Sequence, residues 1–221
     1  MCGALAAPGA PALRCAMDSV PDTVIPAAGA SQRMGQWKPA LPWRGGWVVD
    51  AVVACARDAG SRVVVVAHDN RLALRYGSRP DVVTVLNPAP EHGMFSSIKC
   101  GVEAVRTAWA FVLPADMPLV PAAAFGALLD AARRHGLPRE ADAGSPPDSP
   151  VGPARPFRPV YGDAPGHPVL LPPALLERVR MLPPDATMRD ALAGSIMVEV
   201  PLEDPGVTID LDTIEQYREY R

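Results

Sequence analysis

Two periods alternate in the spacing of apolar and polar positions along this chain. Arg62–Ala67 holds four consecutive valines, the run expected of a strand buried on both faces, as in a parallel sheet. Thr23–Ile25, Asp81–Leu86 and Ala110–Pro114 are further short β-prone runs. Between them the apolar period lengthens. Trp47–Ala59 carries apolar residues at helical spacing, with Gly60 placed to end that helix. The spacing predicts further helices over Phe95–Thr107, which Ser96 or Ser97 could open, and over the alanine-rich Ala122–His135. Strands alternating with helices predict an α/β fold with a doubly wound, mostly parallel sheet. No internal repeat is visible.

Beyond His135 the pattern breaks, because Pro138–Pro173 contains 11 prolines in 36 residues. No helix crosses such a stretch, since each proline removes an N–H donor and clashes with the preceding turn. Arg139–Pro156 is expected as an exposed loop, with Arg158–Tyr161 and Val169–Leu171 as short strands around a turn. Helices follow near Pro173–Arg180 and Met188–Leu192, then a strand at Ile196–Val200 and a last helix from Thr213.

Composition changes this picture in one respect. Proline is 27 of 221 residues, more than twice average usage of about 5%, and the excess is local to that segment. Residues 1–22 are rich in Ala, Pro and Gly, with Arg14 the only basic residue. Without a basic start or an unbroken apolar core they do not resemble a secretory signal, and a disordered tail is expected, with Met17 as an alternative start. Residues 23–221 are expected to form a single domain carrying a proline-rich loop insertion at 138–160. The balance of 21 basic against 24 acidic residues, net −3, lacks the basic field of a nucleic-acid coat. No apolar run is long enough to span a membrane. The four cysteines lack CxxC pairing, so a disulfide framework or zinc site is not expected, and a cytoplasmic setting is.

The first chemical signal follows the first strand: Ala27-Ala28-Gly29-Ala30-Ser31-Gln32-Arg33-Met34-Gly35-Gln36-Trp37-Lys38. Small residues let backbone N–H groups approach an anion closely, and Arg33 and Lys38 add positive charge for phosphate oxygens. The run is neither GxGxxG nor the P-loop. Taken without its cations, it reads equally as an ordinary glycine turn.

These residues resemble the signature AAGxSxRMGxxK of the nucleotidyltransferases that include the molybdenum-cofactor cytidylyltransferases and guanylyltransferases. Four later segments extend the resemblance in order: Gly93-Met94-Phe95-Ser96-Ser97-Ile98 with Gly101, Leu113-Pro114-Ala115-Asp116-Met117-Pro118, Gly166-His167-Pro168-Val169-Leu170, and Asp210-Leu211-Asp212-Thr213. The resemblance implies a Rossmann-like nucleotidyltransferase fold with a small β-containing extension on the acceptor side. It also implies transfer of CMP from CTP to a phosphorylated acceptor, molybdopterin cofactor, with release of pyrophosphate and with Mg²⁺ as cofactor. Ala27-Ala28-Gly29 is similar to the cytidylyl members, since guanylyl members usually carry a second glycine there.

The implied nucleotide-binding set is Ala27, Ala28, Gly29, Ala30, Ser31, Arg33, Lys38, Gly93, Ser96 and Ser97. Lys38, Arg33 and Asp116 carry the chemistry. Asp116 lies at a strand's carboxyl end, where open α/β sheets place ligands, and Asp116 with Asp210 would hold the metal. Asp212 suits the cap of the last helix. His167, Asp185 and Arg189 fall on the acceptor side; His167 fits a structural turn equally well. The run Pro184-Asp185-Ala186-Thr187-Met188-Arg189 departs from the family's GDxGxR in lacking both glycines. A guanylyltransferase, a sugar-phosphate or methylerythritol-type acceptor, a nicotinamide-dependent reductase on the same fold, and a non-catalytic cofactor-binding module stay open. The nucleotide, the phosphorylated pterin, and a molybdoenzyme or its chaperone are the implied partners. His68, His92 and His135 show no metal-ligand spacing and receive no role.

Overall fold

The computed structural model describes residues 19–29, 37–135 and 155–221. Ala30, Ser31 and Arg33, residues 1–18 of the expected tail, and most of the expected loop insertion lie outside the described residues.

Four strands run parallel: β1 (Asp22–Pro26), β4 (Val63–Ala67), β5 (Val82–Leu86) and β6 (Ala110–Val112). Their spatial order is β5-β4-β1-β6, so the winding reverses beside β1. β2 (Pro42–Trp43) and β3 (Gly46–Trp47) form a separate hairpin. The sheet continues beyond β6 through β9 (Val169–Leu171), β7 (Phe157–Tyr161) and β10 (Val198–Pro201), with β8 (Ala164–Pro165) on β7. β9 is antiparallel to β6 and to β7. The expected extension is thus continuous with the main sheet.

Valines of β4 explain the layering. Val63 and Val65 enter one core cluster while Val64 and Val66 enter the other, as a period of two requires. The first cluster is covered by α1 (Val48–Asp58) and α4 (Ala123–His135), the second by α3 (Met94–Glu103) and α5 (Pro173–Met181). Gly60, at φ +84°, ends α1 as expected: its N–H donates to Arg57 O at 2.8 Å and the Ser61 N–H to Ala56 O at 3.0 Å, the Schellman pattern. Proline at the first turn of α5 uses a position whose N–H would be unpaired anyway.

Boundaries differ from expectation in places. α3 ends at Glu103 rather than Thr107, because buried Asp22 accepts from the Arg106 N–H at 2.8 Å and its own N–H donates to Thr107 Oγ1 at 2.8 Å. α2 (Arg71–Tyr76) was not expected; it anchors through only Leu72 and Tyr76, too few positions to show a period. α6 (Met188–Leu192) and α7 (Ile214–Tyr220) complete the chain. Among the described residues no helix is long and apolar enough to cross a membrane.

Candidate active site

The carboxyl ends of β1, β4 and β6, with the loop after β5, border one cleft of about 710 Å³, a volume suited to a nucleotide-sized ligand. It lies where the strand order reverses, the position at which open α/β sheets bind ligands. β1 delivers Ala27, Ala28 and Gly29 to it. Ala27 is tied down by its N–H to Val66 O at 2.7 Å, and a Cβ on Gly29 would meet nothing within 4 Å. Gly29 is thus exposed at the cleft, while Ala27 and Ala28 are buried.

Opposite stands the start of α3. Gly93, at φ +89°, turns the chain into the helix. Gly93, Met94 and Ser97 line the cleft. Both serine hydroxyls, expected as ligand contacts, are buried and bonded: Asn87 Nδ2 donates to Ser96 Oγ at 2.8 Å and to Ser97 Oγ at 3.0 Å. Ser96 Oγ also donates to Gly93 O at 2.8 Å, and Asn87 Oδ1 accepts from the Ala89 N–H at 2.9 Å. Asn87 thus organises the whole turn. Its part was not visible in sequence because its partners are other buried polar groups.

Lys38 opens a 3₁₀ turn, Lys38–Ala40, and is itself buried. Its ammonium lies 2.6 Å from Asp212 Oδ1 and 3.5 Å from Asp116 Oδ2. The Leu211 N–H donates to Asp116 O at 2.9 Å, and fully buried Leu211 packs with Trp43 and Tyr217. That anchor holds Asp210 and Asp212 beside Asp116. Burial, opposed by Lys38, raises the Asp116 carboxyl above the ordinary carboxylate range. Asp210 is raised by burial and then by the charges of Asp212 and Asp116.

The expectation that Asp212 caps the last helix does not hold. Thr213 is the cap, its hydroxyl accepting from the Gln216 N–H at 3.2 Å, and Asp212 instead pairs with Lys38 and lines the cleft. Asp210 does not line it, although it feels Asp116 electrostatically.

The remaining expected residues lie apart from the cleft. His167 carries a backbone N–H to Val207 O at 2.8 Å, bonds the Val112 backbone, and leaves Nδ1 buried without a partner. Burial lowers its pKa to about 4, so its ring is neutral and packed beside β6. Asp185 and Arg189 are exposed around α6, where Thr187 and Asp190 form a capping box. His68, given no role in sequence, does line the cleft.

Among the described residues no group of three or more His, Cys, Asp or Glu side chains is arranged to hold a metal alone. Burial is the first cause of the raised Asp116 and Asp210 carboxyls, and the neighbouring carboxylates add to it. Hard oxygen donors of this kind fit a divalent cation whose shell is completed by phosphate oxygens.

A doubly wound sheet presenting an exposed glycine, a buried lysine and grouped carboxylates at its switch point belongs to α/β proteins that handle nucleotide phosphates. Comparison with known proteins narrows the class. Residues 23–200 match the MobA-like NTP transferase domain, and the chain belongs to that family. It is a nucleotidyltransferase. Over 198 residues it is 30% identical to a molybdenum cofactor cytidylyltransferase of Escherichia coli, covering 89% of this chain and 93% of the relative. A molybdenum cofactor guanylyltransferase of Xanthomonas euvesicatoria pv. vesicatoria is 35% identical over 107 residues, covering 48% of this chain and 52% of the relative. In fold, a nucleotidyl transferase from Methanothermobacter is similar with a TM-score of 0.68 at 18% identity, covering 90% of this chain and 95% of that one. A Mycobacterium tuberculosis protein solved in complex with manganese has a TM-score of 0.64 at 21% identity, covering 90% and 96%.

Proposed function

We propose that the protein transfers CMP from CTP to the terminal phosphate of molybdopterin cofactor, releasing pyrophosphate. The observation that carries this reading is the Lys38 ammonium set between Asp116 and Asp212 at the mouth of the β1 turn. The long match to a cytidylyltransferase and the Ala27-Ala28-Gly29 start favour cytidine.

The backbone of Ala28 and Gly29 receives triphosphate oxygens, with Ala27 bonded to β4 as their support; Ala30, Ser31 and Arg33, next in sequence, are assigned to the same nucleotide-binding set. Lys38 and Arg33 neutralise charge on the triphosphate and the leaving pyrophosphate. Asp116 and Asp210 are the residues that would hold Mg²⁺, with Asp212 adjacent; the ion supplies charge neutralisation at the reacting phosphate. Ser96 and Ser97 act through the turn they build, leaving Gly93 and the α3 N-terminus toward the nucleotide. An acceptor phosphate is already ionised at neutral pH, so positioning and electrostatics suffice and no general base is needed. Asp185 and Arg189 are the acceptor candidates, and His167 supports that side by shaping its turn. We further assign residues 23–221 to one catalytic domain, acting in the cytoplasm and passing its product to a molybdoenzyme or its chaperone.

Mass spectrometry of products after incubation with CTP, Mg²⁺ and molybdopterin cofactor tests the reading; a cytidylylated pterin is expected. Pyrophosphate release measured with CTP, GTP, ATP and UTP separates the bases. Turnover with GTP alone overturns the cytidine assignment, and unchanged activity in Asp116→Ala overturns the metal assignment.

A further inference from the structure

Trp37 stands directly before Lys38, at the far end of the connection that leaves β1 through Ala27. Its indole N–H donates to Ala27 O at 3.0 Å, joining positions ten residues apart. The ring is held on several sides. The Arg71 guanidinium lies 4.1 Å over its face, while Trp47 and His68 meet it edge-on at 6.4 and 5.1 Å. Arg71 is fixed in turn by Nε to Asp69 Oδ2 at 2.7 Å. One helical turn along α2, Arg75 lies 4.1 Å over Trp47 and is held by Asp50. Two guanidinium groups, each anchored by an aspartate, thus cover two indoles that pack against each other.

Lys38 feels this arrangement directly. Trp37 is the residue before its 3₁₀ turn, and the Ala40 N–H closes that turn onto Trp37 O at 3.1 Å. Any movement of the Trp37 backbone carries the Lys38 ammonium with it. Any loss of the indole bond frees the Ala27 carbonyl, at the start of the Ala27–Gly29 backbone. Trp37 itself does not line the cleft, so its influence runs through these two neighbours.

We infer that Trp37 is a positioning residue for the nucleotide: it ties Ala27 to the turn bearing Lys38, so that phosphate-facing backbone and ammonium are set in one arrangement before binding. The inference rests on the reading of that cleft as the CTP site. Ordering done in advance is not charged against affinity on binding. A neutral hydrogen bond is worth roughly two- to tenfold in an equilibrium constant.

Trp37→Phe keeps an aromatic ring beneath Arg71 and removes the N–H together with the five-membered ring that carries it. With the full-length protein, CTP binding measured calorimetrically with Mg²⁺ should weaken about three- to tenfold, with KM for the acceptor unchanged; the unfolding midpoint falls modestly, because the folded state loses the same bond. Hydrogen exchange of peptides containing Ala27–Gly29 should quicken in the variant without any ligand. CTP affinity equal to wild type overturns the inference. So does an affinity loss accompanied by an equal rise in KM for the acceptor, or by unchanged exchange at Ala27–Gly29, which would mark Trp37 as core packing alone. Should the variant fail to fold, Arg71→Met decides: about a twofold weaker CTP affinity supports the clamp, and none overturns it. Should wild type bind no CTP, the functional reading falls, and the hydrogen-exchange comparison alone then supports or overturns the tie.

Discussion

Replacing Lys38 with Met tests how far its ammonium holds Asp116 and Asp212 in place. The Lys38 side chain is 10% exposed, against 25% for Asp116 and 40% for Asp212. At 3.5 Å from Asp116, the gross attraction at an effective dielectric near 20 is about 5 kcal/mol. Methionine also relieves the desolvation of a buried ammonium, and water screens the Asp212 contact. The net loss at pH 8 should be about 2 kcal/mol. The pH dependence is the sharper signature. Asp116 is raised above its ordinary value of 3.8. A raised carboxyl contributes stability that is present below its ordinary value and lost as pH rises through its folded value. Lys38 is the leading influence holding that carboxyl down, so the variant's carboxyl rises further. The stability difference between variant and wild type should be small near the ordinary carboxylate value of 3.8 and grow as pH rises above it. Urea denaturation of both proteins in metal-free buffer measures it. A difference that stays flat as pH rises would refute the coupling. Nucleotidyl transfer by the variant should fall by about a thousandfold.

Gly101→Ala should cost about 1–3 kcal/mol, because its Cβ would stand 2.3 Å from Val24 Cγ1 and 3.0 Å from Val66 Cγ2; chemical denaturation reads this directly. Asn87→Ala removes bonds to Ser96, Ser97 and the Ala89 N–H. It should cost about 2–4 kcal/mol and weaken CTP binding, whereas Asn87→Asp should restore the bond from Ala89 without those to the serines. His167 should titrate near 4 in an NMR pH series. Its pKa is lowered, so its contribution to stability is present above its ordinary value of 6.5 and lost as pH falls toward the folded value. A midpoint of 6 or above would contradict the burial of its ring.

What could be read in advance was what short-range pattern controls. The valine run of β4 declared a strand buried on both faces, and Gly60 declared the end of α1, because each signal sits within a few residues of the feature it specifies. The end of α3 could not be read in this way. It is set by Asp22, which accepts from Arg106 across a sequence separation of 84 and also pairs with Arg62. Nor could the direction of β7 and β9 be read, since short apolar runs between prolines carry no sign of parallel or antiparallel pairing.

The site divides along the same line. Lys38 and Asp116 were legible because each follows a strand at a short, fixed distance. Asp212 was assigned to the last helix, yet a local signal for the contrary was present. Thr213-Ile214-Glu215-Gln216 has the capping-box spacing, and a threonine cap releases the preceding aspartate. Trp37 occupies a position the phosphate-loop signature leaves open, so only its three-dimensional neighbours reveal a function for it. The missing glycines near Arg189 have a similar explanation: Thr187 and Asp190 close a capping box there, and a helix start occupies what a glycine turn would otherwise form. The nucleotide cleft therefore rests on strand ends and one lysine, which sequence conveys well. The residues we propose for the acceptor lie apart from that cleft, on a helix start and antiparallel strands whose placement depends on contacts far along the chain. A family signature can be intact around the nucleotide while the acceptor side has been rebuilt, and substrate choice in this protein must be tested on the acceptor independently of the nucleotide.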